Sequence, residues 1–251
     1  MKLYLTMLLS ILLLFTSSFS ANNKTIPLLT PPFGFVPMED TTEGKQAIPE
    51  YTKKRMGIFA KQDISKLQNG TVFLGDSITE GFHIEKYFPE ELVINRGIVS
   101  DHIGGFNYYG VYNRLDSTIY NLHPKRIIMM IGVNDAPGMT ADSTDKKLVQ
   151  YDYQVWKIRH DLPDTELWCI SLMPTRNKYS YLNPIIKNFN IHAKEAAMKY
   201  NAHWLDIYPS FINETRELKE EITRDGLHVN SAGYDILAQL YKDNIFNKST
   251  K

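Results

Sequence analysis

The stretch Thr71-Val72-Phe73-Leu74-Gly75-Asp76-Ser77-Ile78 decides the fold. Residues 71–74 are short, branched or aromatic, and lack the polar alternation of a half-exposed strand. They read as a strand buried on both faces, the kind found in parallel sheets. Gly75 and Asp76 then turn the chain and leave Ser77 at a strand-to-helix junction. Similar runs recur at 92–95, 126–131, 166–172 and 203–207. Between them lie helical periods. Leu148, Tyr151, Val155, Ile158 and Leu162 step by three and four, as do Ile185, Phe189, Ala193, Ala196 and Tyr200. A helix is expected before the first strand, over about 49–67. Ser231 is expected to cap a last helix carrying Ile236, Leu237, Leu240 and Tyr241. Five strands interleaved with helices predict an α/β protein, a three-layer α/β/α domain on a five-stranded parallel sheet.

The chain has 251 residues, 43% of them apolar, enough for one well-packed domain. Lys2 followed by an apolar run to Phe15, with Ser18 and Ser20 at the small-residue positions, reads as a secretory signal over 1–20. The run is too short to span a bilayer, which takes about 20 residues. Export to the periplasm or the exterior is therefore expected. Residues 21–47, with Pro31, Pro32 and Pro37, read as a linker or extended arm, and 48–251 as the domain. Basic and acidic residues number 28 each, so no net field gathers nucleic acid or an anionic membrane. The single Cys169 cannot form an internal disulfide and lies in an apolar run, as a buried thiol would.

In open parallel sheets, ligands sit beyond the carboxyl ends of the strands. The turns there read Gly75-Asp76-Ser77, Arg96-Gly97, Gly132-Val133-Asn134-Asp135 and Met173-Pro174-Thr175. A serine in such a turn is either a helix cap or a nucleophile with a helix N-terminus behind it. Asp225-Gly226-Leu227-His228 sets a carboxylate three residues before an imidazole, just ahead of the last helix. That spacing lets Asp225 hold the ring in the tautomer that accepts a serine proton, unless the two merely meet on a loop. Gly97 offers an N–H that a substrate can approach, or only a tight turn. Asn134 offers an amide to a developing oxyanion, or a self-bonded turn. No G-x-S-x-G, H-E-x-x-H or paired C-x-x-C occurs, so neither an α/β-hydrolase elbow nor a zinc site is indicated.

Gly75-Asp76-Ser77-Ile78, Asn95-Arg96-Gly97-Ile98, Gly132-Val133-Asn134-Asp135 and Asp225-Gly226-Leu227-His228, in this order over about 50–246, resemble the four signature blocks of the SGNH (GDSL-type) hydrolases. Within that family they are most similar to the branch of platelet-activating-factor acetylhydrolase subunits and bacterial carbohydrate acetylesterases. The resemblance implies a flavodoxin-like sheet, no cofactor and no metal, and hydrolysis of esters with small acyl groups. It implies a triad of Ser77, His228 and Asp225, and an oxyanion hole of Ser77, Gly97 and Asn134. One departure is Val99-Ser100, which replaces smaller residues after the glycine.

Short turns and the lack of a lid-like apolar insertion argue for a short acyl group, most simply acetyl. Tyr108, Tyr109, Tyr112, Tyr179 and Tyr181 crowd the expected rim, and an aromatic face with a polar tip suits a sugar ring. Candidate substrate-binding residues are Asp76, His102, Tyr108 and Tyr179. A small-molecule or carbohydrate ester is the expected partner, with no nucleic acid and no stable membrane association. The rival readings are a lysophospholipase or thioesterase acting on lipid, and a carbohydrate-binding domain without turnover.

Overall fold

The computed structural model describes residues 48–105, 108–140 and 145–247. The expected leader and arm, 1–20 and 21–47, lie outside the described residues. Five strands form one parallel sheet: β1 (Thr71–Gly75), β2 (Val93–Gly97), β3 (Arg126–Met130), β4 (Glu166–Ile170) and β5 (His203–Leu205). Their order is β2-β1-β3-β4-β5, the doubly wound order of flavodoxin-like domains. β1 is buried along its whole length, as its apolar run demands. The strands begin near the expected positions, but β3, β4 and β5 end one or two residues early. There the chain leaves the sheet for the turns at its carboxyl edge.

The helices are α1 (Glu50–Ala60), α2 (Ser77–Glu80), α3 (Ile84–Tyr87), α4 (Leu115–Thr118), α5 (Lys146–Asp161), α6 (Asn183–Lys199), α7 (Tyr208–Phe211) and α8 (Ser231–Tyr241). α1 is shorter than the expected 49–67. It stops at Ala60, and Asp63 then caps a separate 3-10 turn by accepting the Ser65 N–H. Ser231 is the first residue of α8 and not its cap. Asn230 holds that place, its side chain accepting the Gly233 N–H at 3.2 Å. Cys169 is fully buried, and burial pushes its thiol up to about 12.

Strand order reverses between β1 and β3, and such a switch point opens a crevice beyond the strand ends. Ser77 follows β1 and Asn134 follows β3, so both stand at that crevice.

Candidate active site

Asp76 ends the turn after β1 and caps α2, accepting the Ile78 N–H at 3.0 Å. This frees Ser77, the first helical residue, from capping duty. Among the described residues nothing accepts its N–H. His228 arrives from the other side of the crevice on a tightly tied turn. Thr223 Oγ1 donates to the His228 carbonyl at 2.7 Å, and the Arg224 N–H donates to it at 3.0 Å. The turn requires Gly226 at φ +92, where a Cβ would come within 2.6 Å of the Arg176 carbonyl oxygen.

The two segments, 151 residues apart, meet with Ser77 Oγ 2.9 Å from His228 Nε2. His228 Nδ1 lies 2.8 Å from Asp225 Oδ2. With a proton on Nδ1 donated to Asp225, Nε2 is the acceptor for the serine hydroxyl. Asp225 Oδ1 also accepts the N–H groups of Leu227 and His228, at 3.0 and 2.8 Å. Partial burial raises the Asp225 carboxyl. The donors on His228 and Leu227 outweigh that and bring it down to about 2, so Asp225 is ionised at ordinary pH.

Asn134 is half-buried, and its Nδ2 donates to the Asp101 carbonyl at 2.8 Å. This bond sets the amide's orientation and leaves one of its two protons for another acceptor. Asp101 is itself held by Arg114, whose Nε and Nη2 reach Asp101 Oδ2 at 2.8 and 2.6 Å in a fully buried pair.

Gly97 does not offer the free N–H expected of it. That group donates to Asn95 Oδ1 at 2.8 Å, inside the β1–β2 edge. The glycine is needed for packing, because a Cβ there would lie 2.7 Å from both Glu80 Cα and Thr79 C, and closer still to Glu80 N. The open main-chain N–H near this turn that sequence reasoning missed is that of Ser100. It sits at φ +60 in the turn closed by the Asp101 N–H to Ile98 O bond, and nothing among the described residues accepts its N–H. It is one residue from the carbonyl that orients Asn134. Only the departure at Val99-Ser100 marked this turn, and a positive φ on serine carries no sequence signal. α1 braces the same turn. Glu80 takes the Tyr51 hydroxyl and Arg55 Nε on one oxygen and the Val99 N–H on the other, at 2.7 Å.

Of the substrate-binding candidates, Asp76 is only 1% exposed and is a cap, so it cannot line a pocket. Burial, with Asp101 and Asp135 nearby, raises its carboxyl to about 7 despite the Ile78 N–H. His102 is at the rim, its ring edge-on to Tyr108 with centroids 5.1 Å apart. The Tyr108 hydroxyl donates to Gln150 Oε1 at 3.2 Å. Tyr179 is half-buried against the core beyond β4, where its carbonyl accepts the Thr175 hydroxyl at 2.7 Å. Tyr112 packs on Tyr153.

A flavodoxin-like sheet with serine, histidine and aspartate joined at its switch point defines a carboxylic ester hydrolase of the α/β class. The family model for GDSL-like lipases and acylhydrolases matches residues 73–236, and the chain belongs to that family. Among solved structures, a candidate platelet activating factor from Streptococcus pneumonia is 25% identical, with TM-score 0.68 over 77% of this chain and 92% of that one. A candidate acylhydrolase from Bacteroides fragilis, 20% identical, shares the fold with TM-score 0.64 over 80% and 99% of the two chains. So does a catalytic mutant of an acetylxylan esterase from Geobacillus stearothermophilus, 18% identical, with TM-score 0.54 over 70% and 94%. No curated protein matches the chain.

Proposed function

We propose that this protein is an exported serine esterase that removes short acyl groups, chiefly acetyl, from carbohydrate. The observation that carries the chemistry is the unbroken relay from Ser77 Oγ to His228 Nε2 at 2.9 Å and from His228 Nδ1 to Asp225 at 2.8 Å. Ser77 Oγ attacks the ester carbonyl while its proton passes to His228 Nε2. The oxyanion is received by the Ser77 and Ser100 N–H groups and the second Nδ2 proton of Asn134. His228 returns the proton to the leaving alcohol. Water then repeats the sequence on the acyl-enzyme and frees the acid.

The short-acyl reading is supported by the short turns around the site and by the likeness to acetylxylan esterases. The sugar reading is supported by Tyr108, whose ring lies edge-on to His102. Export is supported by the apolar leader over 1–20. A fluorophosphonate probe should label Ser77 alone, with labelling lost in Ser77→Ala. Turnover of p-nitrophenyl esters should fall from acetate through octanoate to palmitate, and acetate should be released from acetylated xylan. Label on another serine would overturn the mechanism. A preference for octanoate or longer would overturn the short-acyl reading and favour a lipid substrate. An N-terminus at Met1 on protein isolated from its host would overturn export.

A further inference from the structure

The wall of the crevice beside Asn134 carries a second imidazole–carboxylate pair that the relay does not use. Asp135, next to Asn134, is fully buried. Its Oδ2 accepts the Ile103 N–H at 3.0 Å, and its Oδ1 faces His102 Nδ1 at 3.4 Å. Both of those facing atoms are shut off from solvent, and the Tyr108 hydroxyl lies close to the same carboxylate. Yet the His102 side chain is 36% exposed. Its Nδ1 edge is therefore turned inward and its exposed part lies on the far side of the ring, towards Nε2. His102 also follows Asp101, whose carbonyl orients the Asn134 amide. The ring thus belongs to the segment that orients Asn134, with one nitrogen facing a buried carboxylate.

The charges around it are layered. Asp76, Asp101 and Asp135 are all nearly or fully buried, and Arg114 neutralises Asp101. Lys147 lies on the same wall, its Nζ donating to the Asp135 carbonyl at 2.9 Å and standing 5.8 Å over the Tyr108 ring. Negative charge is below the surface and positive charge at it. Across the crevice the exposed carboxylate is Asp225, which His228 occupies. The groups that face His102 are Asp135, Asp101, Asp76, Lys147 and Tyr108.

We propose that His102 is a specificity-determining residue that presents an Nε2–H to an anionic group on the substrate, so that the preferred substrates are acetyl esters carrying a carboxylate near the ester, as on an acidic sugar. This deepens the esterase reading and rests on it. Donation from His102 Nδ1 to the Asp135 carboxylate raises the His102 imidazole, burial lowers it, and the charges of Asp135 and Asp101 raise it further against Lys147, with a net rise. The cationic form is thereby favoured over a wider pH range.

The test compares kcat/KM for 4-acetoxybenzoate with that for its neutral methyl ester, in the full chain. Wild type should favour the anion, and this ratio should fall as pH rises and as salt is added. In His102→Gln the ratio should drop about tenfold or more through KM, as expected for losing one charge-assisted hydrogen bond. His102→Lys should restore much of it. Acetate release from O-acetylated polygalacturonate relative to acetylated xylan should change in the same sense. A wild type with no anion preference would overturn the proposal. So would equal losses on both esters in His102→Gln, or a Lys variant no better than Gln. Failure of the esterase reading itself would show separately, as no turnover of the neutral ester or as turnover surviving Ser77→Ala.

Discussion

Gly97→Ala separates packing from catalysis at the position expected to supply an oxyanion donor. The added methyl would stand 2.7 Å from Glu80 Cα and Thr79 C, where ordinary contact begins at 3.4 Å, and the obstacle is main chain. A flexible side chain could swing away, but the backbone of α2 must move by several tenths of an ångström. Overpacking of this kind costs about 1–3 kcal/mol, and a rigid obstacle places it near the upper end, about 3 kcal/mol. At roughly 2–4 °C per kcal/mol for a domain of this size, the melting temperature should fall by about 6–12 °C. Because α2 begins at Ser77, the shift also displaces the nucleophile from His228. Misplacement by about 1 Å can cost a hundredfold, so kcat should fall by about tenfold or more even in the folded fraction. Near-UV circular dichroism melts and p-nitrophenyl acetate kinetics at 20 °C measure both. A melting temperature within about 2 °C of wild type would refute the steric reasoning. A large loss of kcat without loss of stability would return Gly97 to the reaction itself.

Asn134→Ala should lower kcat by about a hundredfold with little change in KM, because in the proposed mechanism its second amide proton serves the transition state alone; steady-state kinetics with unchanged kcat would reject the role. Arg114→Leu strands the buried Asp101 carboxylate and should cost about 3–5 kcal/mol in urea unfolding, with partial recovery in the double variant Asp101→Asn/Arg114→Leu. A double variant as unstable as the single one would argue against charge burial as the cause. Asp76 binds its proton more tightly folded, at about 7, than at the ordinary 3.8, so it withdraws stability as pH rises through that window. Asp76→Asn keeps an oxygen for the Ile78 N–H, and its stability relative to wild type should therefore improve between pH 5 and pH 8. Parallel melting curves at the two pH values would contradict a raised Asp76.

The layered α/β fold was legible because buried parallel strands must be continuously apolar and the helices between them must show one apolar stripe. Runs such as Val72–Leu74 and the steps from Leu148 to Ile158 state this locally. Ser77, His228 and Asp225 were legible because each lies in a short turn at a strand end or before a helix, where residue type and spacing speak for themselves. Tertiary structure alone decided which polar groups remain free. Gly97 read as an open N–H, yet Asn95 folds back and occupies it, and α2 fills the space where its side chain would be. Ser100 became the free donor only because the turn after β2 bends into a positive φ. Asp76 read as a rim residue, yet it is spent on capping α2. His102 and Asp135, 33 positions apart, gave no sign of facing each other until β2 and β3 were laid on either side of β1. Burial and hydrogen-bond partnership belong to pairs of distant segments, and no local pattern can encode which donor another segment will use.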